Sequence, residues 1–97
     1  MKRIRSSWSL DDFNLSPFTE EEIKEIEAGI ESGVDVSLYV DEMFNAEEMH
    51  WIRLGLESGV DAAFYATSGF DADEMKKIYE RMLEYRDIMN YRKGRGR

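Results

Sequence analysis

The chain repeats itself every 26 residues, and this period constrains its fold more than any other feature of the sequence. Three aromatic residues mark the beginnings of the copies: Phe18, Phe44 and Phe70. Apolar residues follow at helical spacing in each copy: Ile23, Ile26 and Ile30, then Met49, Ile52 and Leu56, then Met75, Ile78 and Met82. A fixed period of this length is typical of stacked helical units that bury a continuous core.

Capping signals predict that each of the first two copies contains a long helix, a tight turn and a short helix. Thr19 and Glu22 have the spacing of a capping box, and Asn45 with Glu48 repeats that spacing in the second copy. A glycine then ends each predicted long helix and an aspartate begins each short one: Gly33 and Asp35 in the first copy, Gly59 and Asp61 in the second.

The third copy lacks the glycines of the other two. Larger residues replace them: Arg81 stands in the place of Gly29 and Gly55, and Tyr85 in the place of Gly33 and Gly59. We interpret the glycines as helix breakers, so the third copy is predicted to form one continuous helix from Ala72 to about Tyr91. A long helix of this kind can cover the core face at the end of a stack.

The sequence therefore predicts an all-α fold, a small helical-repeat stack of three 26-residue long-helix/short-helix units. Residues 9–13 align with residues 35–39, so a half-repeat is expected to cap the N-terminal end. One domain is predicted over residues 6–91, between two basic tails. Its parts and the tails are the tail 1–5, the partial repeat 6–17, the repeats 18–43, 44–69 and 70–91, and the Gly/Arg tail 92–97.

Charge is unevenly distributed along the chain. The net charge is −8, but residues 11–87 contain all 21 acidic and only six basic residues, a net charge of −15. Both ends are basic. An acidic body of this kind repels nucleic acid and favours a partner with a basic surface.

Several kinds of chemistry are disfavoured by the residues present. The chain has no cysteine, which excludes disulfides and thiolate nucleophiles. His50 is the single histidine, and neither a Ser-His-Asp arrangement nor a metal-ligand pattern surrounds it. We therefore expect a protein that is not an enzyme and uses no cofactor or metal. Without an apolar segment of membrane-spanning length or a signal peptide, a cytoplasmic location is expected.

Trp51 and Leu54 form an apolar pair that occurs in the second copy alone, off its core stripe. Either the pair contacts a partner, or it packs between neighbouring repeats. Five glutamates are further candidates for partner contacts: Glu25, Glu27, Glu31, Glu47 and Glu57. Their carboxylates could imitate part of the charge track of DNA, or they could form an ordinary solvated face.

The segment from Phe44 to Asp61 resembles a short helical repeat, F-x-x-x-Q-M-x-x-I-R-L-G-L-E-S-G-L-D-V-S-x-Y-A, of uncharacterised gut Firmicutes proteins from phages and other mobile elements. The resemblance covers residues 18–69 well and the third copy loosely, and Glu48 replaces the usual glutamine. It carries no functional residue with it. It implies a small accessory protein of a mobile element, acting in a bacterial host cell.

These observations favour a non-enzymatic protein–protein interaction module. Its sharpest form is an acidic inhibitor of a host nucleic-acid-binding defence protein, an anti-CRISPR or similar factor, with a CRISPR effector nuclease as one such partner. One alternative is a regulator that binds nucleic acid through its basic termini, with contacts from Arg92, Lys93, Arg95 and Arg97. Another is a structural repeat module without an inhibitory role.

Overall fold

The computed structural model describes residues 8–67 and 69–95, which contain four α-helices and no β-strand. The helices are α1 (Glu20–Ser32), α2 (Ala46–Ser58), α3 (Ala62–Ala66) and α4 (Ala72–Arg95). Two 3-10 helices, Leu10–Asp12 and Val36–Leu38, precede and follow α1. The predicted all-α fold is confirmed. The predicted tail 1–5 and Arg97 lie outside the described residues.

Reciprocal capping boxes begin the long helices, as the sequence predicts. In α1, the Glu22 backbone N–H donates to Thr19 Oγ1 at 3.1 Å, and the Thr19 backbone N–H donates to Glu22 Oε1 at 2.9 Å. Asn45 and Glu48 form the same pair of bonds at the beginning of α2. Asp71 and Glu74 repeat it at the beginning of α4. Each box satisfies backbone donors that the first helical turn leaves unpaired.

Left-handed glycines end α1 and α2. Gly33 has φ 82° and Gly59 has φ 80°, a region that residues with a Cβ disfavour. Behind Gly33, the Val34 N–H donates to the Gly29 carbonyl at 3.1 Å, which completes a Schellman motif. The Val60 N–H makes the equivalent bond to the Gly55 carbonyl at 3.1 Å. The predicted helix ends at these two glycines are therefore confirmed.

The interpretation of Gly29 and Gly55 as helix breakers is wrong. Both residues are buried within regular helix, at the point where a tyrosine from the following short helix or turn approaches. A Cβ on Gly29 would stand 2.0 Å from Tyr39 Oη, and one on Gly55 would stand 2.0 Å from Tyr65 Oη. These glycines thus provide space for a tyrosine hydroxyl rather than a helix end.

The helix α4 continues through Tyr85 without a break, which confirms the effect of losing the third left-handed glycine. It extends to Arg95, beyond the predicted boundary at residue 91. Within the described residues, no helix is long and apolar enough to cross a membrane.

The core lies between the three long helices and the tyrosines of the short segments. Its fully buried members include residues at equivalent positions of the three copies: Ile26, Val36, Tyr39, Met49, Ile52, Tyr65 and Met75. At the N-terminal end, Trp8 and Phe13 pack against this core with their ring centroids 5.3 Å apart. The predicted half-repeat therefore contributes aromatic cover to the first helix.

Candidate protein-interaction surfaces

Arg53 of α2 joins the first two long helices. Its Nε donates to Glu25 Oε1 of α1 at 2.8 Å, and its Nη1 donates to Glu57 Oε2 at 2.8 Å. His50 Nδ1 lies 3.3 Å from the second carboxylate oxygen of Glu25. Although burial opposes the charged form, the hydrogen bonds to Glu25 and Glu57 raise the pKa of Arg53 above its ordinary value.

The same network acts on Glu57. Burial favours the neutral carboxyl, but hydrogen bonds from Arg53 and Ser32 lower the pKa of Glu57 below its ordinary value. Two of the five glutamates that the sequence offers for partner contacts, Glu25 and Glu57, are therefore engaged within the protein. Their side chains are 20% and 27% exposed, and both hold Arg53. Their first role is to join helices.

The contact between α2 and α4 repeats this arrangement with different chemistry. Trp51 takes the place of Glu25, and Tyr79 takes the place of Arg53, in both cases 26 residues later. The two rings lie 5.8 Å apart between centroids at an interplanar angle of 47°. Lys76 Nζ stands 5.9 Å from the Trp51 ring centroid. An ion pair in one contact is thus replaced by an aromatic pair and a cation–π contact in the next.

This arrangement shows where the apolar pair of the second copy lies. Trp51 is half-buried against the core and Tyr79, and Leu54 is half-buried three residues further along α2. The placement of Trp51 favours packing between helices over contact with a partner. A signal for it exists in the sequence, because Glu25 with Arg53 and Trp51 with Tyr79 change together from one copy to the next.

The outward face of α1 presents a line of carboxylates, which we call the acidic row: Glu20, Glu27 and Glu31. All three residues are exposed, and their spacing of seven and four residues places them on one side of the helix together with Lys24. Among the side chains that the structure describes, ion pairs involve Glu25, Glu57 and Asp73 but no member of the acidic row. Its negative charge therefore remains directed at solvent.

A shallow groove adjoins the acidic row between the N-terminal halves of α1 and α2. Glu21 and Glu47 line it from opposite helices, with Lys24, Glu25 and His50 beside them. Carboxylates in the first turns of both helices are stabilised by the helix dipoles, so this concentration of charge is tolerated by the fold. Glu47 thus belongs with Glu27 and Glu31 on one acidic surface, and Glu20 and Glu21 extend it.

A second surface, which sequence reasoning missed, lies on the C-terminal half of α4. Tyr85, Ile88 and Met89 are 66%, 50% and 41% exposed, and their spacing places them on one face of the helix. We call these three residues the apolar face of α4. The candidate nucleic-acid contacts Arg92, Lys93 and Arg95 follow on the last turns of the same helix, and Arg97 lies outside the described residues.

Within residues 8–67 and 69–95, no three His, Asp or Glu residues are grouped in a way that could hold a metal ion. Comparisons of the chain with protein-family models, with curated proteins and with solved structures found no match. The resemblance to gut Firmicutes phage repeats therefore stays a prediction.

Proposed function

We propose that this chain is a non-enzymatic protein–protein interaction module. In this proposal the three 26-residue copies stack into one rigid support, closed by the N-terminal half-repeat and by α4. The observation that carries it is the acidic row, because its exposed carboxylates have no ion-pair partner among the described side chains. Glu21 and Glu47 widen the same surface. A row of fixed carboxylates on a packed helix is suited to a basic partner surface.

The favoured partner is a nucleic-acid-binding defence protein of a bacterial host, for example a CRISPR effector nuclease. Such proteins hold nucleic acid in positively charged channels, where an acidic helical surface can compete with the phosphate backbone. Helices that pack about 8–10 Å apart would present several carboxylates across such a channel. The chain would then act as an anti-CRISPR or similar anti-defence inhibitor, in the cytoplasm of the host cell.

Competition for DNA tests this function directly. Fluorescence anisotropy would follow labelled DNA bound to each member of a panel of purified bacterial defence nucleases, while the full chain is added. We expect the chain to release DNA from at least one nuclease at low salt, and the effect to weaken as salt rises. Retention of DNA by every nuclease would count against the proposal. Binding of the free DNA by the chain itself would instead support the alternative of a nucleic-acid-binding regulator.

A further inference from the structure

The C-terminal half of α4 lies beyond the helix that supports its first half. The Arg86 guanidinium donates to the carbonyl of Ser58, the last residue of α2, and so marks the end of that support. From Asp87 to Arg95 the helix continues for nine residues, about 13 Å at 1.5 Å per residue. An isolated helix of this length is marginal in water, and apolar residues on its surface favour a covering partner.

The charges of α4 indicate what covers it. Between residues 72 and 87 the helix carries five acidic and four basic residues, whereas residues 88–95 carry three basic residues and no acidic one. Three of the acidic residues, Glu80, Glu84 and Asp87, line a shallow groove along α4 beside the apolar face. One helix therefore contains both an acidic segment and a basic segment, on either side of exposed apolar residues.

We propose that the apolar face of α4 binds the same face of a second copy of this chain, with the two α4 helices antiparallel. In that arrangement Tyr85, Ile88 and Met89 of one copy pack against those of the other. The basic end of each helix then lies along the groove of Glu80, Glu84 and Asp87 in its partner. A two-fold axis repeats each attraction, so both charge segments are satisfied by one self-complementary interface. The acidic row of each copy lies on α1 and takes no part in this contact, so the dimer is independent of the proposed function.

Sedimentation equilibrium of the full chain tests the apolar part of this interface. We expect the apparent mass to rise from one chain to two with increasing concentration. Ile88→Glu should weaken the association by about tenfold or more, because it places a charge at the centre of the contact. Met43→Glu is the matched control, since Met43 is 65% exposed and lies in the loop before α2. A wild-type chain that stays monomeric, or an Ile88→Glu chain that dimerises like wild type with unchanged helical circular dichroism, would overturn the proposal.

A charge exchange tests the antiparallel orientation. Chains with Glu80→Lys and Glu84→Lys, or with Arg92→Glu and Lys93→Glu, should each self-associate more weakly than wild type at low salt. An equal mixture of the two should restore association, because opposite charges then meet at both ends. Single cysteines add a geometric readout, since the natural chain has none. Ile88→Cys should form a disulfide between copies and Lys77→Cys should not; efficient cross-linking at Lys77, or no recovery on mixing, would refute the antiparallel pair.

Discussion

The hydroxyl of Tyr65 donates a hydrogen bond of 2.6 Å to the backbone carbonyl of Trp51. Tyr39 makes the same bond, also 2.6 Å long, to the carbonyl of Glu25. Each tyrosine therefore attaches a short segment to the middle of the preceding long helix. The attachment requires a helical glycine beside the hydroxyl, which explains why a residue with low helix propensity is kept at the buried centre of α1 and α2.

Gly55→Ala should destabilise the protein, although the same change in an open helix stabilises by about 0.8–1.0 kcal/mol. The new Cβ would meet Tyr65 Oη at 2.0 Å and Ala62 Cβ at 2.9 Å, so we expect a loss of about 1–3 kcal/mol from overpacking. Urea unfolding followed by circular dichroism gives this free energy.

Removing the hydroxyl provides the control for this prediction. Tyr65→Phe alone should cost about 0.5–1.5 kcal/mol, because it removes the hydrogen bond. In the double variant with Gly55→Ala the closest clash is absent, so the two losses should sum to more than the measured loss. Strict additivity would show that the hydroxyl does not set the need for glycine.

Alkaline pH should unfold the protein more readily. Burial raises the pKa of Tyr39 and of Tyr65 well above the ordinary tyrosine value, because each hydroxyl is held away from water. An unfolded tyrosine ionises near pH ~10, so above that pH the unfolded state releases protons that the folded state keeps. The stabilisation is complete below that pH and is lost as pH rises towards the folded pKa values.

The free energy of unfolding, measured across the alkaline range, checks the sign. The variant Tyr39→Phe with Tyr65→Phe should show a smaller decrease with pH than wild type, while Tyr85, which is exposed, serves as the control position for a third Tyr→Phe change. Equal pH dependence in all three proteins would contradict a buried origin.

The Trp51–Tyr79 contact should carry a measurable coupling energy. Single changes to Leu and their combination form a double-mutant cycle, and we expect a coupling of about 0.5–1.5 kcal/mol from the aromatic pair. Trp51→Ala should cost less than the ~3–5 kcal/mol of a fully buried tryptophan, since Trp51 is half-buried. A coupling indistinguishable from zero would instead free Trp51 for a role in partner binding.

Local signals predict most of the backbone. The boxes at Thr19 and Asn45 and the left-handed glycines Gly33 and Gly59 depend on neighbouring residues alone, so their chemistry is readable from short segments. The helical glycine Gly55 is different, because its reason is a hydroxyl ten residues away that only the packed structure brings into contact.

The surfaces are less predictable for the same reason. Glu25 and Glu27 look alike in the sequence, yet the packing of α2 places Arg53 against one and leaves the other exposed. The apolar face of α4 resembles a continuation of the core stripe, and it is exposed because α2 ends at Ser58. Exposure depends on where neighbouring elements end, which no single helix encodes.

The central claim, that the acidic row recognises a basic partner, is tested most directly by association kinetics. For a nuclease that the chain displaces from DNA, the rate constant of association would be measured as a function of salt. Glu27→Lys with Glu31→Lys should lower it by about tenfold or more at low salt and flatten its salt dependence. Glu42→Lys with Asp73→Lys makes the same change of net charge at exposed positions outside α1 and should have a much smaller effect. Equal effects of the two pairs, or association that is insensitive to salt, would contradict the account.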